Sequence, residues 1–276
     1  MPELPEVQSM IDALIEQNCL NKKITNVTTI MPKIFKNCNF NEFYNYVIDE
    51  KINSISRNGK YLVFHLTHKK VFVVHLRMEG KLFFDELNSP YDKKHTLIII
   101  TMGKYQLRYH DTRRFGTFTI YSEDNYLKSK EIGKLALDPL QEEFDWKYLK
   151  KNISNSSRAI KTLLLDQTNV AGIGNIYADE ILFASCIHPQ VLGNEITDEQ
   201  FKKIALNARK ILKLAVENKG TTISTYFYKK QKMGEFQKFL KVHTKKGYPC
   251  QNCKAEIIKL KVNGRGTYIC PKCQIK

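Results

Sequence analysis

Four of the seven cysteines in this chain of 276 residues form two closely spaced pairs that suit metal binding. The pairs are Cys250-x2-Cys253 and Cys270-x2-Cys273, with sixteen residues between them. Each pair can give two thiolates to one tetrahedral zinc ion, and the residues between the pairs have the length of a β-hairpin. Four protein ligands leave no open position for water, so such a zinc is structural rather than catalytic. We therefore predict a zinc-finger hairpin that holds one structural Zn2+.

Two short segments that contain glycine could hold phosphate groups. Arg265 stands between Gly264 and Gly266, so a hairpin turn there would present its guanidinium outward to grip a phosphate. Residues 172–175 read Gly-Ile-Gly-Asn before a predicted helix, where backbone N–H groups and the Asn175 amide could contact an anion. The first segment is also compatible with an ordinary hairpin turn and the second with a plain helix connection. The residues alone leave both interpretations open.

The net charge of +16 is concentrated at one end of the chain. Residues 1–200 hold 25 Lys and Arg against 25 Asp and Glu, whereas residues 201–276 hold 19 against 3. Such a local basic excess favours a polyanionic partner, although a solvated lysine-rich surface is the alternative. There is no apolar run of about 18 residues and no basic-then-apolar leader. With cysteines suited to a reducing compartment, this predicts a soluble protein of the cytoplasm without a membrane partner.

The amino terminus, Met1-Pro2-Glu3-Leu4-Pro5-Glu6, permits two interpretations. These residues could serve only to start a helix, with proline in the first turn and acidic residues at the positive end of the helix. Alternatively, removal of Met1 would expose the secondary amine of Pro2, which is nucleophilic when deprotonated and can form an iminium at a sugar C1′. Glu3 beside it could then donate a proton. The local pattern favours the first interpretation, in which these residues only start a helix.

The periodicity of apolar residues divides the chain into a β-rich and a helical part. A helix is predicted from Pro5 to about Cys19, and residues 24–121 favour a β-sandwich or barrel. The clearest strands are Tyr61–Leu66, Val71–Leu76, Thr96–Thr101 and Gly116–Tyr121. Mixed charge and the Asp138-Pro139 pair then indicate a linker. Helices are predicted over Trp146–Asn152, Arg158–Gln167, Ile176–Ser185 and Asp198–Asn218, the last preceded by a capping box formed by Thr197 and Gln200.

Several ordered motifs along the whole chain resemble the bacterial formamidopyrimidine-DNA glycosylase (Fpg) family. The matching segments are residues 1–7 (MPELPEV), 58–62 (NGKYL), 75–80 (HLRMEG), 111–116 (DTRRFG), 172–180 (GIGNIYADE) and the cysteine pairs. The resemblance implies an α+β fold: an N-terminal helix with a β-sandwich, a helix-two-turn-helix domain and a zinc finger. We therefore predict a catalytic domain over 1–133, a linker over 134–145, a helix-two-turn-helix domain with a lesion-capping loop over 146–245, and a zinc finger over 246–276.

The resemblance also implies an activity and its catalytic residues. Members of the family are DNA glycosylases and abasic-site lyases that excise 8-oxoguanine and formamidopyrimidines. Pro2 would attack C1′ and form a Schiff base, Glu3 would protonate the sugar ring oxygen, and β,δ-elimination would cut the strand. Lys60 matches a residue near the active centre, and Glu6 a second acidic residue with a less defined role. Neither a redox cofactor nor a catalytic metal is required.

Other matches imply contacts with damaged double-stranded DNA, bound by a monomer. Met78, Arg113 and Phe115 match residues that fill the gap left by the flipped base, although local pattern places Met78 in the core and Phe115 at a strand start. Further matches imply contacts to the DNA backbone; these are Lys60, His75, Asn175 and Arg265. Many relatives have Arg-Arg-Gly-Lys where residues 57–60 read Arg-Asn-Gly-Lys, which puts one backbone contact in doubt. Residues 221–226 resemble the lid over the flipped purine.

Two alternatives to this assignment differ in the preferred lesion or in having no catalytic activity. The related endonuclease VIII branch prefers oxidised pyrimidines, but its terminus usually reads Pro-Glu-Gly-Pro, and this chain has Leu4 at the third of those positions. A catalytically inactive, zinc-dependent DNA-binding protein would retain the scaffold without needing Pro2, Glu3 and Lys60.

Overall fold

Two antiparallel sheets and one helix enclose the core of the N-terminal part of the chain. The computed structural model describes residues 1–221, 227–229 and 232–276. The strands of this part are β1 (Asn26–Thr29), β2 (Ile52–Asn58), β3 (Tyr61–Leu66), β4 (Lys70–His75), β5 (Lys81–Glu86), β6 (Thr96–Met102), β7 (Tyr105–His110) and β8 (Thr117–Ser122). One sheet has the order β1-β6-β7-β5 and the other β2-β3-β4-β8. Apolar side chains from both sheets share one buried cluster, which makes the predicted sandwich.

Helix α1 (Leu4–Glu16) packs its apolar face into the same core. Val7, Met10 and Leu14 recur at helical spacing and are buried, as the sequence predicts. The helix ends three residues before the predicted end at Cys19, because Asn18 adopts a left-handed φ of 58°.

One helix lies where the sequence pattern predicts only strands. Helix α2 (Phe40–Val47) begins with a capping box. Asn39 Oδ1 accepts from the Glu42 N–H at 3.0 Å, and Glu42 Oε2 accepts from the Asn39 N–H at 2.7 Å. Its Phe43 ring packs on Phe35 with centroids 4.6 Å apart. The prediction of an uninterrupted β-rich region is therefore wrong here, and the Asn39-x-x-Glu42 pattern was the missed signal.

Helices return after residue 145 and are followed by a hairpin. The elements are α3 (Trp146–Ile153), α4 (Ile160–Leu165), α5 (Asn175–Ala184), α6 (Asp198–Glu217), β9 (Phe227–Lys229), β10 (Lys232–Met233), β11 (Ile258–Val262) and β12 (Arg265–Ile269). Short 3-10 turns occupy Pro32–Ile34, Thr67–Lys69, Tyr126–Lys128, Gly193–Glu195 and Phe236–Phe239. Helix α4 is shorter than predicted, because the Asp166 carbonyl accepts from Asn169 at 2.9 Å and from Val170 at 3.1 Å, which starts the turns before α5.

The chain divides into two compact units. The first comprises residues 1–133 and 219–234, and the second comprises residues 134–218 and 235–276. The predicted lid falls largely on residues 222–226, which lie outside the described residues. In the part of the chain that is described, no helix is long and apolar enough to span a membrane. The predicted α+β class is confirmed, whereas the finer division into four segments stays a prediction.

Candidate functional site

Pro2 and Glu3 are buried at the start of α1. The Glu3 backbone N–H donates to Glu6 Oε2 at 2.9 Å, and the Glu3 side chain accepts from the Glu6 backbone in a reciprocal capping box. Met1 is 48% exposed. The helix therefore holds Pro2 and Glu3 in a defined place and leaves the preceding residue accessible for removal.

Glu6 links the helix start to the segment around residue 221. Its Oε1 accepts from the Thr221 N–H at 2.8 Å and from the Thr221 hydroxyl at 3.1 Å. Gly220 has a φ of 71°, and a Cβ there would lie 2.7 Å from Glu6 Oε1. Both carboxylate oxygens of Glu6 thus accept backbone hydrogen bonds, which favours a positioning role for this side chain.

Lys60 lies in the tight turn between β2 and β3 and is buried. Gly59 adopts a φ of 56°, and its carbonyl accepts from Arg57 Nη1 at 3.0 Å. Arg57 Nε also donates to Gln8 Oε1 of α1 at 3.3 Å. This arginine therefore fastens the turn that carries Lys60 to the helix that begins after Pro2.

His75 ends strand β4 and is buried against the Tyr61 ring, with centroids 4.4 Å apart. Burial lowers the pKa of His75 to about 3, helped by the charges of Arg77 and Lys60. The imidazole is therefore neutral at pH 7. Because its Nδ1 accepts from the Arg77 backbone N–H at 2.9 Å, the ring proton resides on Nε2. His75 can thus act as a neutral hydrogen-bond donor close to the Lys60 cation.

Met78 and Phe115 are both exposed, although local pattern predicts a core residue and a strand start. Met78 is 37% exposed in the turn between β4 and β5, and Phe115 is 53% exposed before β8 begins at Thr117. The Arg113 guanidinium lies over the Phe115 ring, 4.9 Å from its centroid. Those two local predictions are wrong, and exposed apolar side chains on loops suit contact with another molecule.

Asp111 organises the loop that carries Arg113 and Phe115, and sequence reasoning did not single it out. Its buried carboxylate accepts from the backbone N–H groups of Arg113 at 2.9 Å, Phe115 at 2.9 Å and Gly116 at 3.0 Å. The Tyr109 hydroxyl donates to the same carboxylate at 3.1 Å. An aspartate that accepts from residue i+2 is a common turn former, so its position before a polar loop was the available signal.

The Tyr109 hydroxyl also brings two loops together. A Cβ at Gly80 or at Gly116 would collide with this hydroxyl, so both glycines are required by its position. Gly80 closes the turn that contains Met78, and Gly116 closes the loop that contains Phe115. Met78 and Phe115 therefore project from adjacent segments of the same unit.

In the second unit, a buried lysine fixes the hairpin beside Arg265. Lys161 Nζ donates to Asp179 Oδ1 at 2.7 Å, to Thr267 Oγ1 at 2.7 Å and to the Gly266 carbonyl at 3.2 Å. Asn175 Nδ2 donates to the same Gly266 carbonyl at 3.0 Å. The predicted phosphate contacts Asn175 and Arg265 are thus brought together, with Arg265 itself exposed at the start of β12. Sequence reasoning missed Lys161.

The four predicted metal ligands converge. Sγ of Cys250 lies 3.9 Å from Sγ of Cys273, and Sγ of Cys253 lies 3.4 Å from Sγ of Cys270. Four sulfurs around a zinc at about 2.3 Å would be about 3.8 Å apart, so the donor set fits this ion. A hydrogen bond from the Ala255 backbone lowers the pKa of Cys253 to about 7, whereas burial raises the pKa values of Cys270 and Cys273. The predicted four-cysteine cluster is confirmed.

Models of three protein domains match this chain. The "Formamidopyrimidine-DNA glycosylase N-terminal domain" matches residues 1–118, the "Formamidopyrimidine-DNA glycosylase H2TH domain" residues 135–227, and the "Zinc finger found in FPG and IleRS" residues 247–275. The chain belongs to the formamidopyrimidine-DNA glycosylase family. The resemblance stated from its motifs is therefore confirmed.

Full-length relatives and solved structures agree with this membership. The formamidopyrimidine-DNA glycosylase of Ureaplasma parvum is 50% identical over 99% of this chain and 100% of its own length. That of Bacillus subtilis is 40% identical over 100% of both chains. Lactococcus lactis Fpg in complex with DNA that contains N7-benzyl-Fapy-dG is 36% identical over 100% of both chains, with a TM-score of 0.93. The same protein with DNA that contains an oxidised pyrimidine gives 36% identity, 100% coverage of both chains and a TM-score of 0.92.

Proposed function

We propose that this chain is a DNA-formamidopyrimidine glycosylase and abasic-site lyase of base excision repair. Its substrates would be 8-oxoguanine and formamidopyrimidines in double-stranded DNA, on which it would act as a monomer. The observation that carries the proposal is full-length membership of the family together with a Pro-Glu pair buried at the start of α1. A secondary amine in that position could act as a nucleophile, whereas residues that only start a helix would have no chemical role.

After Met1 is removed, the Pro2 nitrogen would attack C1′ of the damaged nucleotide. The new N–C1′ bond forms as the glycosidic bond breaks, and the base leaves with the bonding electrons and takes up the proton that the Pro2 nitrogen loses. Glu3 would protonate the sugar ring oxygen as that oxygen leaves C1′, which gives the iminium. The iminium acidifies C2′–H, so successive β- and δ-elimination would expel both phosphates.

Lys60 and His75 would hold the phosphate backbone beside this centre. Lys60 offers a cation, and His75 offers the Nε2–H of a neutral ring. In the second unit, Arg265 and Asn175 would contact phosphate from a hairpin that Lys161 secures. Such contacts would grip DNA independently of sequence.

Met78, Arg113 and Phe115 would enter the duplex where the damaged base is extruded. Extrusion costs a few kcal/mol, and exposed apolar side chains can replace the lost stacking. The hydrogen bonds that Asp111 accepts support this role. They hold the loop in one conformation, and side chains that insert between base pairs need a rigid loop behind them.

The four cysteines would bind one structural zinc. With all four positions of a tetrahedral ion occupied by thiolates, the ion would supply folding energy to the hairpin that carries Arg265. The reaction assigned to Pro2 and Glu3 needs no redox cofactor.

Borohydride trapping tests the mechanism, because reduction turns the iminium into a stable protein-DNA bond. We expect a covalent adduct with duplex that contains 8-oxoguanine opposite cytosine, and its loss in the Pro2→Gly variant or when an N-terminal extension blocks the amine. Pro90→Gly, in an exposed loop, is the matched control and should trap normally. Trapping by Pro2→Gly at the wild-type level would refute the assignment.

The lesion preference needs a separate assay. The Lactococcus lactis relative has been solved with an oxidised pyrimidine, so thymine glycol is the second substrate to compare. We expect faster excision of 8-oxoguanine opposite cytosine. Faster excision of thymine glycol would favour the endonuclease VIII alternative, and tight binding without excision of either would favour an inactive DNA-binding protein.

A further inference from the structure

A second cluster of metal-ligating side chains lies in the first unit, apart from the residues assigned to the reaction. It consists of Asp92, His95 and His110, whose ligand atoms all lie within 4.8 Å of one another. Asp92 Oδ2 lies 2.6 Å from His95 Nδ1 and 3.3 Å from His110 Nε2. Two imidazole nitrogens thus face one carboxylate oxygen.

The backbone holds this cluster together. His110 ends strand β7 and pairs with Thr96 of β6, which places His95 beside it. The Asp111 N–H donates to the His95 carbonyl at 2.9 Å. Asp92 is folded back onto the same strand end, because its carbonyl accepts from the Thr96 N–H at 3.0 Å. The three side chains therefore converge through a turn and through strand pairing whose register shifts between Thr96 and Ile98, without needing an ion to gather them.

The donor set and its spacing suit a zinc-like divalent ion. Ligand atoms about 2.0–2.1 Å from a tetrahedral ion would be about 3.3 Å apart, and the separation of Asp92 and His110 already has this value. The contact between Asp92 and His95 would have to widen. Asp92 Oδ1 accepts from the backbone N–H groups of Lys94 at 2.9 Å and of His95 at 3.3 Å, so the carboxylate stays in place and the 26% exposed His95 ring is the group that would move. Imidazole and carboxylate ligands together are typical of zinc and of other transition metals.

An ion bound by these three side chains would keep one position open to solvent, whereas an ion bound by four cysteines would not. The side chains of His95 and His110 are 26% and 17% exposed, so an ion can reach them from solvent and keep water in the fourth position. We propose that Asp92, His95 and His110 form a second divalent-metal site, with zinc as the ion that fits best and with weaker binding than at the four cysteines. The bound ion would brace the strand ends that lead into the loop of Asp111.

Metal counting on the full-length protein, already loaded with one zinc at its cysteines, tests the proposal. We expect equilibrium dialysis against Zn2+ to add one further ion per chain. Co2+ in its place should give visible absorption without a new thiolate-to-cobalt band, since the ligands are nitrogen and oxygen. We expect the affinity for the added ion to fall at least tenfold in each of three variants, His95→Gln, His110→Gln and Asp92→Asn. His188→Gln, in the other unit, is the matched control and should bind as wild type.

Thermal unfolding provides an independent measurement. An ion that binds only the folded protein raises Tm with its concentration, so Zn2+ should raise the Tm of wild type and of His188→Gln but not that of His110→Gln. A Tm close to that of wild type before zinc is added shows that a variant is folded. If a histidine variant fails this test, Asp92→Asn, which changes an exposed side chain, replaces it. The proposal is overturned if wild type takes up no further ion, or if Asp92→Asn and both histidine variants bind it as tightly as wild type.

Discussion

Replacing Asp111 by asparagine should loosen the loop that carries Arg113 and Phe115. The wild-type carboxylate is fully buried and accepts four hydrogen bonds, three from backbone N–H groups and one from the Tyr109 hydroxyl. Asparagine has almost the same shape but only one acceptor oxygen and no charge. The change therefore tests the hydrogen bonds with little change in packing.

The magnitude follows from counting these bonds. If the asparagine oxygen takes the place of Oδ2, it keeps three bonds as neutral ones, and its NH2 group faces the Arg113 N–H. A hydrogen bond to a charged group is worth about 1.5–3 kcal/mol and a neutral one about 0.5–1.5 kcal/mol. Three bonds that weaken by about 1–1.5 kcal/mol each, and one that is lost at about 1.5–3 kcal/mol, should lower the free energy of unfolding of the first unit by roughly 5–7 kcal/mol. With about 2–4 °C per kcal/mol for a unit of this size, Tm should fall by roughly 10–25 °C.

Denaturant unfolding and excision kinetics measure the two consequences. Asp124→Asn, on an exposed turn, is the matched control and should stay within about 0.5 kcal/mol of wild type. Under conditions in which Asp111→Asn is still folded, we expect weaker binding to lesion-containing duplex, because Arg113 and Phe115 must then be ordered at the moment of binding. If Asp111→Asn unfolds like Asp124→Asn and excises at the wild-type rate, the carboxylate does not organise this loop.

Three further changes probe other parts of the molecule. Lys161→Met should destabilise the second unit by about 3–5 kcal/mol in denaturant, because Asp179 would lose its buried cation; a loss below about 0.5 kcal/mol would contradict this. Burial tends to raise the pKa of Glu50, but hydrogen bonds from Lys70 and its neighbours outweigh burial and lower it to about 2. The stability from this depressed pKa is present above about pH 4.5 and lost as the pH falls towards 2, so Glu50→Gln should flatten the stability-pH curve in that window; an unchanged curve would be the contrary result. Arg265→Ala should reduce the slope of log K against log salt by about 0.9, and an unchanged slope would make Arg265 only a turn residue.

Features that depend on neighbours in sequence were predictable. The capping box before α6 forms as expected: Thr197 Oγ1 accepts from the Gln200 N–H at 3.3 Å, and Gln200 Oε1 accepts from the Thr197 N–H at 2.9 Å. The cysteine pairs also converge as their spacing indicates. In each case the covalent chain keeps the partners within a few residues, or within one hairpin, so few conformations compete.

Exposure was harder to predict from the sequence. An apolar residue such as Met78 fits both a core and a wedge, and the pattern of its neighbours favours the core. Met78 is exposed in the turn that Gly80 closes, and the Tyr109 hydroxyl packs against both Gly80 and Gly116. That arrangement depends on how two separate loops pack, which periodicity does not contain.

The sequence by itself therefore determined the convergence of the four cysteines, the approximate bounds of most helices and, through its motifs, membership of the family. Tertiary structure alone decided which residues hold these parts in place. Lys161 meets Thr267 across 106 positions, and Asp92 meets His110 across 18. Such pairs form only after strands and helices have packed, because their closeness depends on the packing of entire elements and not on local spacing.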